Sequence, residues 1–290
     1  MFDGFAVRDF ETPGARIHGR VGGSGPPLLL LHGNPLTHVS WHKIASRLAE
    51  KFTVVATDLR GYGDSGKPPG GQRSIGYSFR AMAEDQVEVM RQLGFTRWRV
   101  AGHDRGARVA HRMALDFPAA VEKVAFLDIV PTHHVLNNIR RQWAVDSYHW
   151  FFMAQPFDYP EKMIEAYGYE RYIRRKLDKK GVGMSGFTPG ALAEYIRCCN
   201  AENIHAVCED YRAAASVDLV DDAADQNRKI ECPLLVLWAE KGPFHRMYKV
   251  LDTWKECAND VRGQAMPAGH FLPEQIPGPL AAELKAFLSA

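Results

Sequence analysis

The sequence predicts an α/β fold in which a mostly parallel central sheet is flanked by helices and carries an inserted helical lid. Three observations lead to this prediction. Strand-like and helix-like segments alternate over roughly the first 130 residues, an aromatic-rich helical stretch follows, and the alternation then returns towards the end of the chain. Such alternation is typical of a parallel sheet covered by helices on both faces.

The first part of the chain supplies most of the predicted sheet. The apolar run at residues 28–31 suits a central strand that is buried on both faces. We expect further strands at residues 16–21, 53–58, 97–102 and 124–130, and helices at residues 41–50, 79–93 and 107–117. Ser78 can cap the second of these helices, and Pro118 ends the third.

The composition changes in the middle of the chain. Residues 136–213 contain many aromatic residues in a helical pattern, without a convincing strand. The alternation then resumes with a strand at residues 234–238 and helices at residues 248–257 and 279–288. We therefore expect one core, formed by residues 1–135 and 214–290, and a helical cap formed by residues 136–213.

Bulk composition excludes several classes of protein. The net charge of +2 gives no reason to expect a nucleic acid or an anionic membrane as partner. The sequence predicts neither a secretory segment nor a transmembrane segment. The five cysteines include no CxxC pair, which argues against a disulfide framework and a zinc site. We expect a cytoplasmic protein without a bound metal.

A sharp turn predicts where the chemistry takes place. In residues 102–106, Gly-His-Asp-Arg-Gly, glycines flank Asp104 two positions away on each side, after a predicted strand and before a predicted helix. This is the nucleophile-elbow pattern, which holds a side chain at the carboxyl edge of the sheet. Asp104 could instead be an ordinary turn or helix-capping residue.

The identity of the residue in the elbow decides the reaction. A carboxylate that attacks a saturated carbon forms an ester, which water can split, whereas a serine would leave a stable ether. Asp104 therefore indicates displacement at a saturated carbon, as in dehalogenation or epoxide opening.

The second step of such a reaction needs a base and an acid that orients it. His270 lies late in the chain, and its imidazole can act as the base near neutral pH. Asp128, at the end of the strand after the elbow, is the favoured acid, and Glu240 is the rival. The backbone N–H groups of Asn34 and Arg105 can hold the oxyanion that forms on the nucleophile.

With these residues assembled, the sequence resembles the fluoroacetate (haloacetate) dehalogenases of the α/β-hydrolase superfamily over nearly the whole chain. The motifs that carry the resemblance are HGNP at 32–35, DLRGYGDSGKP at 58–68, GHDRGARVAHR at 102–112, LDIVPT at 127–132, YHWFFMAQP at 148–156, CEDYRA at 208–213 and GHFLPE at 269–274. The resemblance implies an α/β-hydrolase fold, an Asp104–His270–Asp128 triad and, as in typical members, a homodimer.

The same resemblance implies how the substrate is held. Arg105 and Arg108 would bind the carboxylate of a small 2-halo acid, and His149, Trp150 and Tyr211 would donate hydrogen bonds to the departing halide. The spacing agrees, because residues three apart share one helix face, and guanidinium groups suit a carboxylate. No metal and no organic cofactor is expected, since these side chains complete the reaction.

The sequence departs from the family at two places, and it leaves two other functions open. Family members often have Phe where this chain has Asn34, and several have Trp near Asp178-Lys179-Lys180. Epoxide hydrolysis with the same triad is the alternative enzymatic function. A binding protein that reuses the fold is the alternative outside enzymes, although it would not need a complete triad.

Overall fold

The computed structural model describes residues 1–178 and 183–290 of the chain. Lys179 and Lys180, at which the sequence departs from the family, lie outside the described residues. In the described part, eight strands form one sheet in the order β1-β2-β4-β3-β5-β6-β7-β8. The pairs β1–β2 and β2–β4 are antiparallel, and every other neighbouring pair is parallel. The predicted α/β fold class is therefore confirmed.

The strands are β1 (Ala6–Glu11), β2 (Arg16–Gly22), β3 (Pro27–Leu31), β4 (Thr53–Thr57), β5 (Trp98–His103), β6 (Val121–Leu127), β7 (Leu234–Ala239) and β8 (Val261–Met266). The α-helices are α1 (Ala45–Ala49), α2 (Phe79–Gln92), α3 (Arg105–Asp116), α4 (Thr132–Asn137), α5 (Arg141–Asp146), α6 (His149–Met153), α7 (Tyr159–Tyr167), α8 (Tyr169–Leu177), α9 (Pro189–Cys198), α10 (Ala201–Ala214), α11 (Val217–Ala224), α12 (Pro243–Met247), α13 (Val250–Cys257), α14 (Leu272–Gln275) and α15 (Pro277–Ser289). Residues His38–Trp41 and Gln72–Tyr77 form 3-10 helices.

The sheet centre follows the apolar runs of the sequence. All four leucines from Leu28 to Leu31 in β3 are fully buried, as are Leu127 in β6 and Leu237 in β7. Helix α2 covers one side of the sheet, and Ser78 caps it by accepting a hydrogen bond from the Ala81 N–H at 3.2 Å. Gln86, a buried polar residue of α2, accepts a hydrogen bond from Thr57 at 2.7 Å. Burial on both faces thus fixes the strands that carry the site.

Three predicted elements need correction. The strands β1 and β8 are missing from the sequence prediction, because both lie at sheet edges and their polar residues face solvent, so neither has an apolar run. The helix expected at residues 41–50 is only the short helix α1, which follows the 3-10 helix that Thr37 caps.

The segment between β6 and β7 forms the helical cap. Its described residues contain helices α4 to α11 and no strand. The predicted cap boundaries at residues 136 and 213 remain a prediction, since helices α4 and α10 run across them. Among the described helices, none has the length and apolar character that crossing a bilayer would require.

Candidate active site

Asp104 stands in a strained turn between β5 and α3. Its backbone has φ 49° and ψ −116°, a conformation that side-chain-bearing residues rarely adopt. A Cβ atom on Gly102 would lie 2.4 Å from the Gly106 carbonyl oxygen, and one on Gly106 would lie 2.4 Å from the Leu31 carbonyl oxygen. Both glycines are therefore required by close backbone packing, Gly102 against the start of α3 and Gly106 against the end of β3.

The loop after β3 lies directly against the nucleophile. A Cβ atom on Gly33 would lie 2.4 Å from the Asp104 Cβ, and the Asn34 N–H donates to Asp104 Oδ2 at 3.1 Å. Burial by itself would raise the pKa of Asp104. The nearby side chains more than offset this effect, so the pKa of the carboxyl lies well below its usual range; these side chains are His270, His103, Arg105 and Arg108. Asp104 is therefore an ionised, buried carboxylate.

His270 and Asp128 form a close pair beside Asp104, the predicted nucleophile. His270 Nδ1 lies 2.6 Å from Asp128 Oδ2, and the other oxygen, Oδ1, accepts from the Ala239 N–H at 2.9 Å. Asp128 is fully buried, and its backbone also has a positive φ of 52°. The rival acid, Glu240, is exposed after β7. The geometry thus brings Asp128 and not Glu240 to His270, and leaves His270 Nε2 as the basic nitrogen.

His103, which the sequence analysis did not single out, holds the backbone of the base. Its Nε2 lies 2.7 Å from the His270 carbonyl oxygen, and the two rings lie 4.8 Å apart. Burial, together with the neighbouring His270, lowers the pKa of His103 to about 4. His103 is therefore neutral at neutral pH and donates through Nε2. Its place directly before the nucleophile was the only indication in the sequence.

The two arginines of α3 are both buried beside Asp104, but their partners differ. Arg105 forms a two-pronged ion pair with Asp210 of α10, with Nε donating to Oδ2 at 2.9 Å and Nη2 donating to Oδ1. Tyr62 also donates to Asp210, at 2.6 Å. Burial opposes the charge of Arg105, yet Asp210 raises its pKa above the usual range. Sequence reasoning missed Asp210, because nothing in the sequence links positions 105 residues apart.

Arg108 has no such partner. It donates from Nη1 to the Val130 carbonyl at 3.1 Å and to the Thr132 hydroxyl at 2.7 Å. Within residues 1–178 and 183–290, no carboxylate forms an ion pair with Arg108, and its Nε and Nη2 atoms are buried without a hydrogen-bond partner. Burial and the like charge of Arg105 lower the pKa of Arg108 to about 10, which still leaves it charged at neutral pH. It is a buried cation that an anionic ligand would stabilise.

The cap supplies an aromatic wall over these arginines. The ring of Trp150 lies 4.7 Å from the Arg108 guanidinium carbon, and the ring of Tyr211 lies 4.5 Å from that of Arg105. His149 and Trp150 lie 5.8 Å and 6.0 Å from Tyr211, ring to ring. Burial and the charge of Asp104 raise the pKa of Tyr211, so its hydroxyl stays protonated. The three donors expected from the sequence are thus gathered at one place.

Asn34 connects the nucleophile to this wall. Besides the backbone contact to Asp104, its side-chain Nδ2 donates to the Tyr211 hydroxyl oxygen at 3.0 Å. Because that oxygen already accepts a hydrogen bond, the Tyr211 proton is available for another acceptor. The second oxyanion donor expected from the sequence is the backbone N–H of Arg105, the first residue of α3. Among the described residues, this N–H makes no hydrogen bond to the Asp104 carboxylate.

Comparison with known proteins agrees with this arrangement. A family model described as the alpha/beta hydrolase fold matches residues 26–159. A fluoroacetate dehalogenase from Burkholderia sp is 42% identical over 290 residues, which is 100% of this chain and 95% of that protein. A soluble epoxide hydrolase from Corynebacterium sp. (strain C12) is 34% identical over 91% of this chain and 90% of its own length.

Solved structures give the same result. A protein of Nostoc sp that is described as an α/β hydrolase superimposes with a TM-score of 0.98, at 54% identity, over 100% of this chain and 99% of its own. The fold, the elbow and these similarities define an enzyme of the α/β-hydrolase superfamily. Within that superfamily, the chain belongs to the fluoroacetate (haloacetate) dehalogenase family.

Proposed function

We propose that this enzyme hydrolyses the carbon–halogen bond of a small 2-halo carboxylate, such as a haloacetate, through a covalent ester on Asp104. The proposal combines the full-length similarity to a fluoroacetate dehalogenase with an ionised carboxylate in the elbow and a buried cation beside it. A hydroxy acid, which is glycolate for a haloacetate, and a halide ion are the products.

In the first step, Asp104 displaces the halide. Its Oδ2 is held by the Asn34 N–H, which leaves Oδ1 to attack the carbon that carries the halogen. The new Oδ1–carbon bond forms as the carbon–halogen bond breaks, and the halide departs with the bonding electrons. Tyr211, Trp150 and His149 donate hydrogen bonds to the halide, which replace the water that would otherwise solvate it.

In the second step, water splits the ester at the carbonyl carbon of Asp104. His270 Nε2 removes a proton from the water, and Asp128 stabilises the resulting imidazolium. The negative charge that develops on Oδ2 is held by the Asn34 N–H. Collapse of this intermediate breaks the bond between Cγ and Oδ1 of Asp104, so that Oδ1 leaves as the hydroxyl oxygen of glycolate and takes the proton from His270. The oxygen from water stays in the new Asp104 carboxyl, which loses its proton to solvent.

The observation that carries the preference for a halo acid is the unpaired charge of Arg108. A buried guanidinium without a carboxylate partner is unfavourable unless a ligand supplies the anion. Arg105 contributes less, because Asp210 already occupies two of its nitrogens and only Nη1 remains without a hydrogen-bond partner. A substrate carboxylate placed against Arg108 would also reduce its repulsion from Asp104.

Epoxide hydrolysis is the second candidate. The similarity to a soluble epoxide hydrolase and the free hydroxyl proton of Tyr211 favour it, because a phenol can protonate the oxygen of an opening epoxide. A neutral epoxide would leave the Arg108 charge unpaired, which is why we place this activity second.

Halide release from fluoro-, chloro- and bromoacetate, measured beside diol formation from a panel of epoxides, tests the proposal. We expect halide release and little diol formation. A single turnover in ¹⁸O-water should yield glycolate without label and an Asp104 carboxyl with label. Label in the first glycolate would rule out the ester, and diol formation without halide release would favour the second candidate.

Other parts of the proposal concern partners. The substrate is a small anion, and we expect a homodimer in the cytoplasm that binds neither nucleic acid nor membrane and requires no cofactor. Sedimentation of the purified enzyme would test the dimer.

A further inference from the structure

A second buried polar cluster lies where the cap meets the loop that carries the base. We call residues 269–274 the base loop, because His270 lies at its start and Glu274 at its end. The hydroxyl of Tyr195, on cap helix α9, donates to Glu274 Oε1 at 2.5 Å. Both residues are 1% exposed, so the hydrogen bond that joins the cap to the base loop is shielded from water.

Lys43 of the core connects to both parts. Its Nζ lies 3.1 Å from Glu274 Oε2, donates to the Glu274 backbone carbonyl at 2.7 Å, and also donates to the Gly186 carbonyl of the cap. One ammonium group thus holds the base loop and the cap segment before α9 together. The ammonium donates hydrogen bonds to the two carbonyls, whereas its contact with Glu274 Oε2 is an ion pair.

An apolar contact runs alongside the polar one. The ring of Phe187, from the cap, lies 5.3 Å from that of Phe271, which directly follows the base. Phe187 also lies 6.1 Å from Tyr195. The base loop is therefore held by the cap on one side and by His103 and Asp128 on the other.

Burial of the Glu274 carboxyl in this cluster costs free energy that its hydrogen-bond and ion-pair partners must offset. Burial raises the pKa of Glu274, although Tyr195, His42 and Lys43 counteract the rise. A buried carboxyl group that loses one donor keeps the desolvation cost without the compensating bond. Glu274 keeps this donor only where α9 lies against the base loop, as it does in this structure.

We propose that Tyr195 and Glu274 are positioning residues that couple the placement of the cap to the hydrolytic step, by holding the base loop so that His270 faces the ester on Asp104. This inference rests on the proposed function for its kinetic consequences. The halide-displacing step does not use His270 as a base, so the pair acts on the second step and not on the first.

The test compares Tyr195→Phe with Tyr77→Phe. Tyr77 is a matched control, because it is also 1% exposed and its hydroxyl bonds the Pro68 carbonyl, far from the base loop in the chain. With bromoacetate, Tyr195→Phe should lower kcat and KM together by about fivefold to tenfold and leave kcat/KM unchanged, because only a step after halide release is slowed. The aspartyl ester should accumulate in acid-quenched enzyme, as added mass on Asp104. Glu274→Gln should behave in the same way.

A fall in kcat/KM without ester accumulation would overturn the proposal, and so would equal effects of Tyr77→Phe. Hydrogen exchange provides a readout that does not depend on turnover. Tyr195→Phe should speed exchange of the base-loop amides while Tyr77→Phe does not, and unchanged exchange would refute the coupling. If the wild-type enzyme releases no halide, the proposed function fails, but the exchange experiment still decides whether the cap holds the base loop.

Discussion

The sheet edge and the cap-side wall of the site differ in how their charges are satisfied. At the sheet edge, Asp128 is bound by His270 and a backbone amide, and Asp104 by the Asn34 amide. Across from it, Arg108 is buried under Trp150 without an anionic partner. The charges at the sheet edge are thus matched within the protein, whereas Arg108 of core helix α3, where it faces the cap, still lacks an ion-pair partner. The five predictions below test that division.

The largest effect should come from the sheet edge. His270→Ala removes the base but keeps Arg105 and Arg108, which favour the ionised form of Asp104, so halide should be released once and turnover should then fall at least about 1000-fold. Intact mass would show enzyme that carries the substrate carbon on Asp104. His245→Ala, which alters an exposed histidine on α12, should turn over normally. Halide release from His270→Ala without added mass would exclude the ester.

The paired arginine should affect stability most. Arg105→Ala leaves the fully buried Asp210 without its cation, which should lower the free energy of unfolding by about 3–5 kcal/mol. Urea unfolding of the variant and of wild type measures this difference. A loss below about 1 kcal/mol would mean that the Asp210 ion pair does not stabilise the fold.

The unpaired arginine should affect binding instead. Arg108→Ala should raise KM for haloacetate by about 100-fold, because a charge-assisted contact to the substrate is lost. Its stability should change less than that of Arg105→Ala, since a buried uncompensated charge is removed. Arg112→Ala serves as control, because that arginine, one turn further along α3, pairs with Asp225 at 2.6 Å. An unchanged KM would remove Arg108 from the substrate site.

Acid should lower the stability of the protein through two buried histidines of the core. Burial lowers the pKa of His103 to about 4 and that of His111 to about 3, so the unfolded chain binds more protons below pH 6.5 than the folded one. Stability conferred by these neutral histidines is present above pH 6.5 and is lost as pH falls towards 4. At pH 5 each of the two histidines should lower the free energy of unfolding by about 2 kcal/mol relative to neutral pH. His111→Phe should flatten the measured pH dependence, and an unaltered slope would contradict this assignment.

The smallest effect should distinguish leaving groups. Tyr211→Phe removes one donor to the halide, so fluoroacetate turnover should fall about tenfold while bromoacetate turnover falls no more than about twofold to threefold, since fluoride depends most on hydrogen bonds. Parallel halide assays with both substrates measure the ratio. Equal slowing would place Tyr211 outside the halide site.

The sequence predicted the parts of the molecule that local pattern determines. The elbow at Asp104, the strand after it and the apolar run of β3 each follow from glycine spacing or continuous hydrophobicity, and parallel strands bring their ends to one edge. The edge strands β1 and β8 were not predicted, because most of their residues are exposed or only partly buried and they contain no apolar run. The prediction of one fold around one site was possible because these local patterns agree with each other.

Long-range pairings could not be predicted. Asp210 meets Arg105, and Tyr195 meets Glu274, only because the cap folds over the core, and no spacing in the sequence encodes those contacts. The motif CEDYRA contained Asp210, yet an acid on a helix is usually solvated. The hydrogen bond from the Asn34 side chain to Tyr211 could not be predicted for the same reason, because it depends on where the cap lies.

The positive φ angles of Asp104 and Asp128, 49° and 52°, carry one further consequence. Each places a branched side chain in backbone space that suits glycine, at a cost of about 1–3 kcal/mol, and both occur at the ends of adjacent strands. The hydrogen bonds that Asp128 makes with the Ala239 amide and His270 offset part of this cost, so glycine there would relieve the backbone but leave a buried amide without its acceptor.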